Sequence, residues 1–272
     1  MEQYANRKAA AQIRVVDEKG NAVKNSEFQA ELTNHDFLFG CGAFDALSLM
    51  DEEKNDAFCE DRMRKWLDLY NYGTMSFYWG AYEEKENAPA YESRMNASRY
   101  LKEHGKTVKG HPLCWHTLCA DWLMKYDNKT IMDRQLERIH RDVAAFAGVI
   151  DMWDVINEVV IMPEFDKYDN AVTRICREYG RITLVKEVFA AARAANPKAV
   201  LLINDFNLSD RYAKLIAECL DAGVLIDFLL LSARSTPLGA PSHAPSVKSH
   251  PVTASTKGCA NRKRYISSIS SA

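Results

Sequence analysis

Downstream of Asp227 this chain has neither aspartate nor glutamate, so residues 228–272 supply no carboxylate for an acid, a base, a nucleophile or a metal. All 37 acidic residues lie in 1–231 beside 29 of the 35 Lys and Arg, which gives that part a net charge of −8 and leaves +6 on 232–272. CxxC pairs are missing too. The seven cysteines, Cys41, Cys59, Cys114, Cys119, Cys176, Cys219 and Cys259, are odd in number and scattered. That spacing argues against a disulfide framework and a zinc knuckle, and reads instead as small buried hydrophobes. No stretch reaches the ~18 apolar residues of a membrane span, and Met1–Arg7 lacks the apolar run of an export signal. With an overall charge of −2, neither nucleic acid nor an anionic membrane is expected as partner. No metal and no cofactor is expected either.

What is present is a repeated alternation of two periods. Short β segments are expected within 13–39, with Ile13–Val16 before a turn at Lys19-Gly20-Asn21 and Phe37–Phe39 running into Gly40. Met63, Trp66, Leu67 and Tyr70 then follow helical spacing, as do Leu136, Ile139, Val143 and Phe146. Leu184, Val185, Val188, Phe189 and Ala192 predict a third helix, stopped by Asn196-Pro197; Tyr212, Leu215, Ile216, Cys219 and Leu220 predict a fourth, stopped by Gly223. Between the helices stand nearly continuous apolar runs, the mark of parallel strands covered on both faces. Six strands are predicted, near 38–44, 69–77, 107–115, 151–157, 199–204 and 225–231.

Polar and aromatic residues follow these runs directly: His111, Trp115 and His116, then Asn157-Glu158, then Asn204-Asp205. Barrel enzymes place their chemistry at these C-terminal strand ends. The predicted fold is therefore α/β, of the (β/α)8 TIM-barrel type but incomplete, with about six βα units where closure needs eight. Each further unit takes roughly 30 residues. The remaining residues 232–272 hold ten Ser, four Pro and the cluster Arg262-Lys263-Arg264, the composition of a disordered basic tail. The organisation read from the sequence is thus an N-terminal β segment in 1–36, a partial barrel in 37–231 and a Ser-rich tail in 232–272.

From His111 to Glu158 the chain resembles glycoside hydrolase family 10, the endo-β-1,4-xylanases. Gly110-His111-Pro112-Leu113-Cys114-Trp115-His116 is similar to that family's Gly-His-Thr-Leu-Val-Trp-His, and Trp153-Asp154-Val155-Ile156-Asn157-Glu158 to its Trp-Asp-Val-Val-Asn-Glu. Phe39-Gly40, Leu202–Asn207 and Ile226–Phe228 add to the likeness, which covers about residues 7–230. The resemblance implies a retaining endo-1,4-β-xylanase acting on xylan or a related plant β-glycan, from a family that is usually secreted. A glycosidic bond breaks through an oxocarbenium-like transition state, so one carboxylic acid protonates the departing oxygen while a second carboxylate attacks the anomeric carbon. Glu158 is the expected acid. Its carboxyl needs a raised pKa to hold the proton near neutrality, and Asn157 is placed to bond the sugar 2-hydroxyl. The resemblance puts His111 and Trp115 around the sugar in the cleaving subsite, with His116 nearby. The plain alternatives are a satisfied core histidine at 111 or 116 and a core indole at 115. Asp154 reads as a structural acceptor, and Asn204 and Asp205 as organisers of a loop.

Two departures stand out. In the second strand the family carries Glu-Asn and a Lys that bind the neighbouring sugar, whereas this chain has Thr74-Met75-Ser76-Phe77-Tyr78-Trp79. After the sixth strand the family's Gln-Ser-His falls on Ser232-Ala233-Arg234, and the likeness ends with no counterpart of the nucleophile. One expectation is a change of reading frame near Leu230: were Ser232 encoded TCA, a shift of one nucleotide would give CAG, the expected Gln. The chain as written is then expected to be impaired in turnover. The alternatives are a non-catalytic glycan-binding remnant and another retaining barrel β-glycanase.

Overall fold

Strands buried on both faces and helices with one apolar stripe leave one economical arrangement, a parallel sheet with helices packed outside it. The computed structural model of the chain describes residues 14–25, 27, 36–51, 53–231, 233–234 and 267–270. These fall into two compact units, divided between His35 and Asp36. In the first, Asp17 organises a tight turn by accepting from the backbone N–H groups of Lys19 (2.9 Å) and Asn21 (2.8 Å), and an antiparallel bridge joins Val16 to Ala22.

The second unit opens with β1 (Phe39–Gly42), α1 (Asp45–Leu49), α2 (Ala57–Leu69), β2 (Tyr72–Ser76), α3 (Trp79–Tyr82), α4 (Tyr91–Glu103) and β3 (Thr107–His111). It continues with α5 (Asn128–Ala145), β4 (Met152–Asn157), α6 (Ala171–Tyr179), α7 (Arg181–Ala195), β5 (Val200–Asp205), α8 (Asp210–Asp221) and β6 (Phe228–Leu231). Two short strands follow, β7 (Ala233–Arg234) and β8 (Ser267–Ser270). The sheet order is β6-β5-β4-β3-β2-β1-β8-β7, and every pairing is parallel. The six predicted strands form a half-barrel with helices between them, an incomplete (β/α)8 fold. The disordered tail expected over 232–272 lies outside the described residues, except at β7 and β8, which are drawn as strands.

The four predicted helices correspond to α2, α5, α7 and α8. Side chains cap the starts of three of them: Asp56 accepts from the N–H of Cys59 in α2, Asp127 from that of Thr130 in α5, and Ser209 from that of Arg211 in α8. A cap of this kind is worth about 1 kcal/mol. β4 and β5 are buried along all but their first residue. Val155, Ile156, Leu201, Leu202 and Ile203 are fully buried there, each contributing roughly 1.5–3 kcal/mol relative to exposure. Trp153 plugs the layer between β3 and α5, edge-on to Phe77 (4.9 Å) and Phe146 (6.2 Å). Its ring occupies the space beside Gly110, where a Cβ would stand 2.1 Å from it, so the glycine and the tryptophan of the two motifs require one another.

Candidate active site

The loop that leaves β3 does not wander; it is zipped onto β4. The Leu113 N–H donates to the Asp154 carbonyl (2.9 Å) and the Asn157 N–H to the Cys114 carbonyl (3.0 Å), while Cys114 and Ile156 form a parallel bridge. From behind, Gln135 (3.0 Å) and Arg138 (2.5 Å) on α5 both donate to the Leu113 carbonyl. Trp115 and His116 are thereby set beside the end of β4. There the chain turns: Glu158 takes a φ of 54°, and its N–H donates to the Asn204 carbonyl (2.8 Å). A non-glycine residue in the left-handed region is uncommon, and such positions cluster at functional sites.

All five candidates from the sequence gather at this one end of the sheet. His116 Nε2 lies 3.9 Å from Glu158 Oε2, and the glutamate side chain is 17% exposed. The ring centroids of His111 and Trp115 are 6.3 Å apart, and those of Trp115 and His116 are 6.0 Å apart. Asn157 is buried, and its Oδ1 accepts from Asn204 Nδ2 (2.8 Å). Asp205 at the end of β5 accepts from the N–H groups of Val160 (3.0 Å) and Asn207 (2.9 Å), tying down the chain just beyond Glu158. Burial raises the Asp205 carboxyl above the ordinary range despite those bonds.

Beneath the site lies a buried charge cluster. Asp154 Oδ2 accepts from Lys109 Nζ (2.5 Å) and from His111 Nδ1 (2.6 Å). Burial alone would raise the Asp154 carboxyl, but the Lys109 charge and the His111 bond more than offset it, and the group sits below the usual carboxylate range. His111 is shifted down, burial outweighing the attraction of Asp154. A neutral His111 that donates from Nδ1 keeps a lone pair on Nε2. Sequence reasoning anticipated Asp154 as a structural acceptor but missed Lys109 as its counter-charge. Phe165, whose ring centroid is 4.4 Å from that of His116, was missed as well. The available signal was polarity: a charged residue in an apolar strand needs a buried partner.

His116 is 1% exposed, and burial pushes its pKa down to about 4 from 6.5. Its 3.9 Å approach to Glu158 is therefore a contact with a neutral ring at pH 7. Between pH 6.5 and 4 the unfolded chain takes up a proton that the folded one refuses, so this group's contribution is full above 6.5 and falls with pH. Urea titrations at pH 7 and pH 4 should show His116→Phe removing up to about 3 kcal/mol of the acid loss seen in the unmodified protein. Equal losses in both proteins would show that His116 titrates normally.

An incomplete parallel barrel carrying a glutamate, two imidazoles, an indole and an asparagine at the ends of β3 and β4 is the architecture of a barrel glycoside hydrolase. The chain belongs to glycosyl hydrolase family 10, whose pattern matches residues 44–229. It is 30% identical over 198 residues to endo-1,4-beta-xylanase 3 of Hypocrea jecorina, a match that covers 66% of this chain and 51% of that enzyme. Endo-1,4-beta-xylanase A of Cellvibrio japonicus is 33% identical over 146 residues, covering 47% and 23% of the two chains. The crystal structure of xylanase 10B from Thermotoga petrophila RKU-1 in complex with xylobiose superposes with a TM-score of 0.61 at 19% identity, covering 74% of this chain and 64% of that one. The chain thus spans about half the length of the Hypocrea enzyme.

Proposed function

We propose that this chain carries the proton-donor half of a retaining endo-1,4-β-xylanase site for xylan or a related plant β-glycan. Glu158 is the acid that protonates the departing glycosidic oxygen. Asn157, with its Oδ1 engaged by Asn204, offers Nδ2 to the sugar 2-hydroxyl, a bond that strengthens at the transition state. His111 presents Nε2 as an acceptor for a sugar hydroxyl, and the Trp115 ring receives an apolar pyranose face, with His116 completing the wall. The observation that carries the reading is the position of Glu158, turned out of β4 into contact with His116 and held by the Asn204 carbonyl.

Residues 228–272 offer no carboxylate to attack the anomeric carbon. That absence favours a second reading, a glycan-binding protein that retains half a catalytic site. Calorimetric titration with xylo-oligosaccharides tests what the two readings share. Binding is expected, weakened about tenfold by Trp115→Ala through the loss of one stacked ring. Binding without hydrolysis selects the second reading, and no binding at all would remove both.

A further inference from the structure

Beside Trp115 the aromatic surface does not stop. The Tyr78 ring, at the end of β2, lies tilted against Trp115 with centroids 5.6 Å apart and edge-on to His111 at 5.8 Å. Phe44, just beyond β1, stands edge-on to Tyr78 at 6.4 Å. Three rings therefore form one strip from the Glu158 group across the ends of β2 and β1. Phe44 is 39% exposed, a large apolar ring left facing water. Its placement is built in: a Cβ on Gly42 would lie 3.1 Å from the Phe44 ring, so glycine at that position lets the ring settle against the strand end.

The strip is also free of charge. Residues 42–44 and 74–78 include no Asp, Glu, Lys, Arg or His. Two flanking charged residues are engaged elsewhere: Asp45 pairs with Arg62, and Arg94 on α4 donates to the Ser76 carbonyl (3.4 Å) with its guanidinium over the Tyr82 ring. Burial and the carboxylates Asp154 and Glu158 keep the Tyr78 phenol protonated. A surface of this kind reads a ligand by its apolar face and edge, not by charge or a dense set of hydrogen bonds. A β-linked pyranose with equatorial substituents has such faces, and its substituents project away from them.

We infer that Tyr78 and Phe44 form a platform, continuous with Trp115, that seats the next sugar of the chain by stacking and accepts a neutral pyranose whether or not its hydroxyls are acylated. The inference rests on the sugar-binding reading of the Glu158 site and assigns specificity beyond it. Stacking on Tyr78 sets which neighbouring residues are tolerated, since the segments 42–44 and 74–78 that carry the platform bring no cation or carboxylate of their own to inspect the hydroxyls. An O-acyl group at this position meets rings and solvent instead of a polar partner that it would displace.

Calorimetric titration of the whole 272-residue chain with xylotriose and with O-acetylated xylotriose tests this. The two ligands should bind within about twofold of each other, Tyr78→Ala should weaken both about tenfold, and Phe44→Ala should weaken them severalfold. Tyr78→Phe, which keeps the ring and removes the hydroxyl, should stay within about twofold of the unmodified protein. Phe44 is exposed enough that its alanine variant keeps the fold, which urea midpoints check. If Tyr78→Phe loses as much as Tyr78→Ala, or acetylation abolishes binding, hydroxyls are being read and the platform is overturned. If xylotriose binds the unmodified protein and both alanine variants equally, the second sugar lies elsewhere and the glycan-binding function stands without the platform. If the unmodified protein binds neither ligand, the function and the platform fall together.

Discussion

Asp154→Ala is expected to lower the unfolding free energy by about 3–5 kcal/mol, because it leaves the Lys109 ammonium buried without a counter-charge. Asp154 is fully buried and Lys109 is 2% exposed. Water cannot replace the lost carboxylate at such a site, so the surviving charge bears its desolvation alone. Lys109→Met should cost a similar amount for the mirror reason. The double variant Lys109→Met/Asp154→Leu removes both charges and should be less destabilised than either single one, which separates an unpaired charge from lost packing. Denaturant midpoints of the four proteins supply the measurement. A cost below about 1 kcal/mol for Asp154→Ala would place the pair among weak surface interactions. A second readout follows from His111: without Asp154 its Nδ1 loses the acceptor that fixes the tautomer, so sugar binding should weaken in Asp154→Ala beyond what the loss of folded protein explains.

Turnover of xylan by the purified 272-residue chain should fall on the order of 10⁴-fold or more below that of a site with both carboxylates. If Glu158 protonates the leaving oxygen as proposed, positive charge develops at the anomeric carbon, and residues 228–272 offer no aspartate or glutamate to collect it. Azide supplied with an aryl β-xyloside takes that role: nitrogen bonds to the anomeric carbon as the bond to the phenol oxygen breaks. The expected product is the glycosyl azide of inverted configuration, formed only by protein with an intact sugar cleft. Reducing-sugar release from xylan without azide, lost in Glu158→Gln, would mean that a carboxylate within 1–227 serves as nucleophile. Asp205 is a poor candidate, since both its oxygens already accept backbone hydrogen bonds.

Strands β4 and β5 were legible because burial on both faces writes a nearly continuous apolar run, broken within Met152–Ile156 by Asp154 alone. Helix α4 was not legible. Its buried face is Met95, Ala97, Ser98 and Leu101, and the two small residues that let it pack closely also erase the stripe. α6 carried a usable signal that went unread: Asn170 caps it, and Val172, Ile175 and Cys176 face the core. Two helices between β4 and β5, separated at Gly180, depart from the simple strand-helix repeat and have no trace in a count of strands. Within the candidate site, His111, Trp115, His116, Asn157 and Glu158 were singled out from two short motifs that hold them nearly side by side. Tyr78 and Lys109 were not assigned roles, since what places them is strand register, which joins positions far apart in the chain.

From β1 through β6, each strand pairs with the one made just before it. Synthesis on a ribosome runs at about 5–20 residues per second, and domains start to fold from their N-terminal side as they emerge. Along this run every newly exposed leading edge therefore has its mate arriving next, seconds later, whereas the other edge of β1 waits for β8, which is made last. The Gly110 and Trp153 interlock makes the third addition a test of shape: the ring seats only where position 110 carries no Cβ.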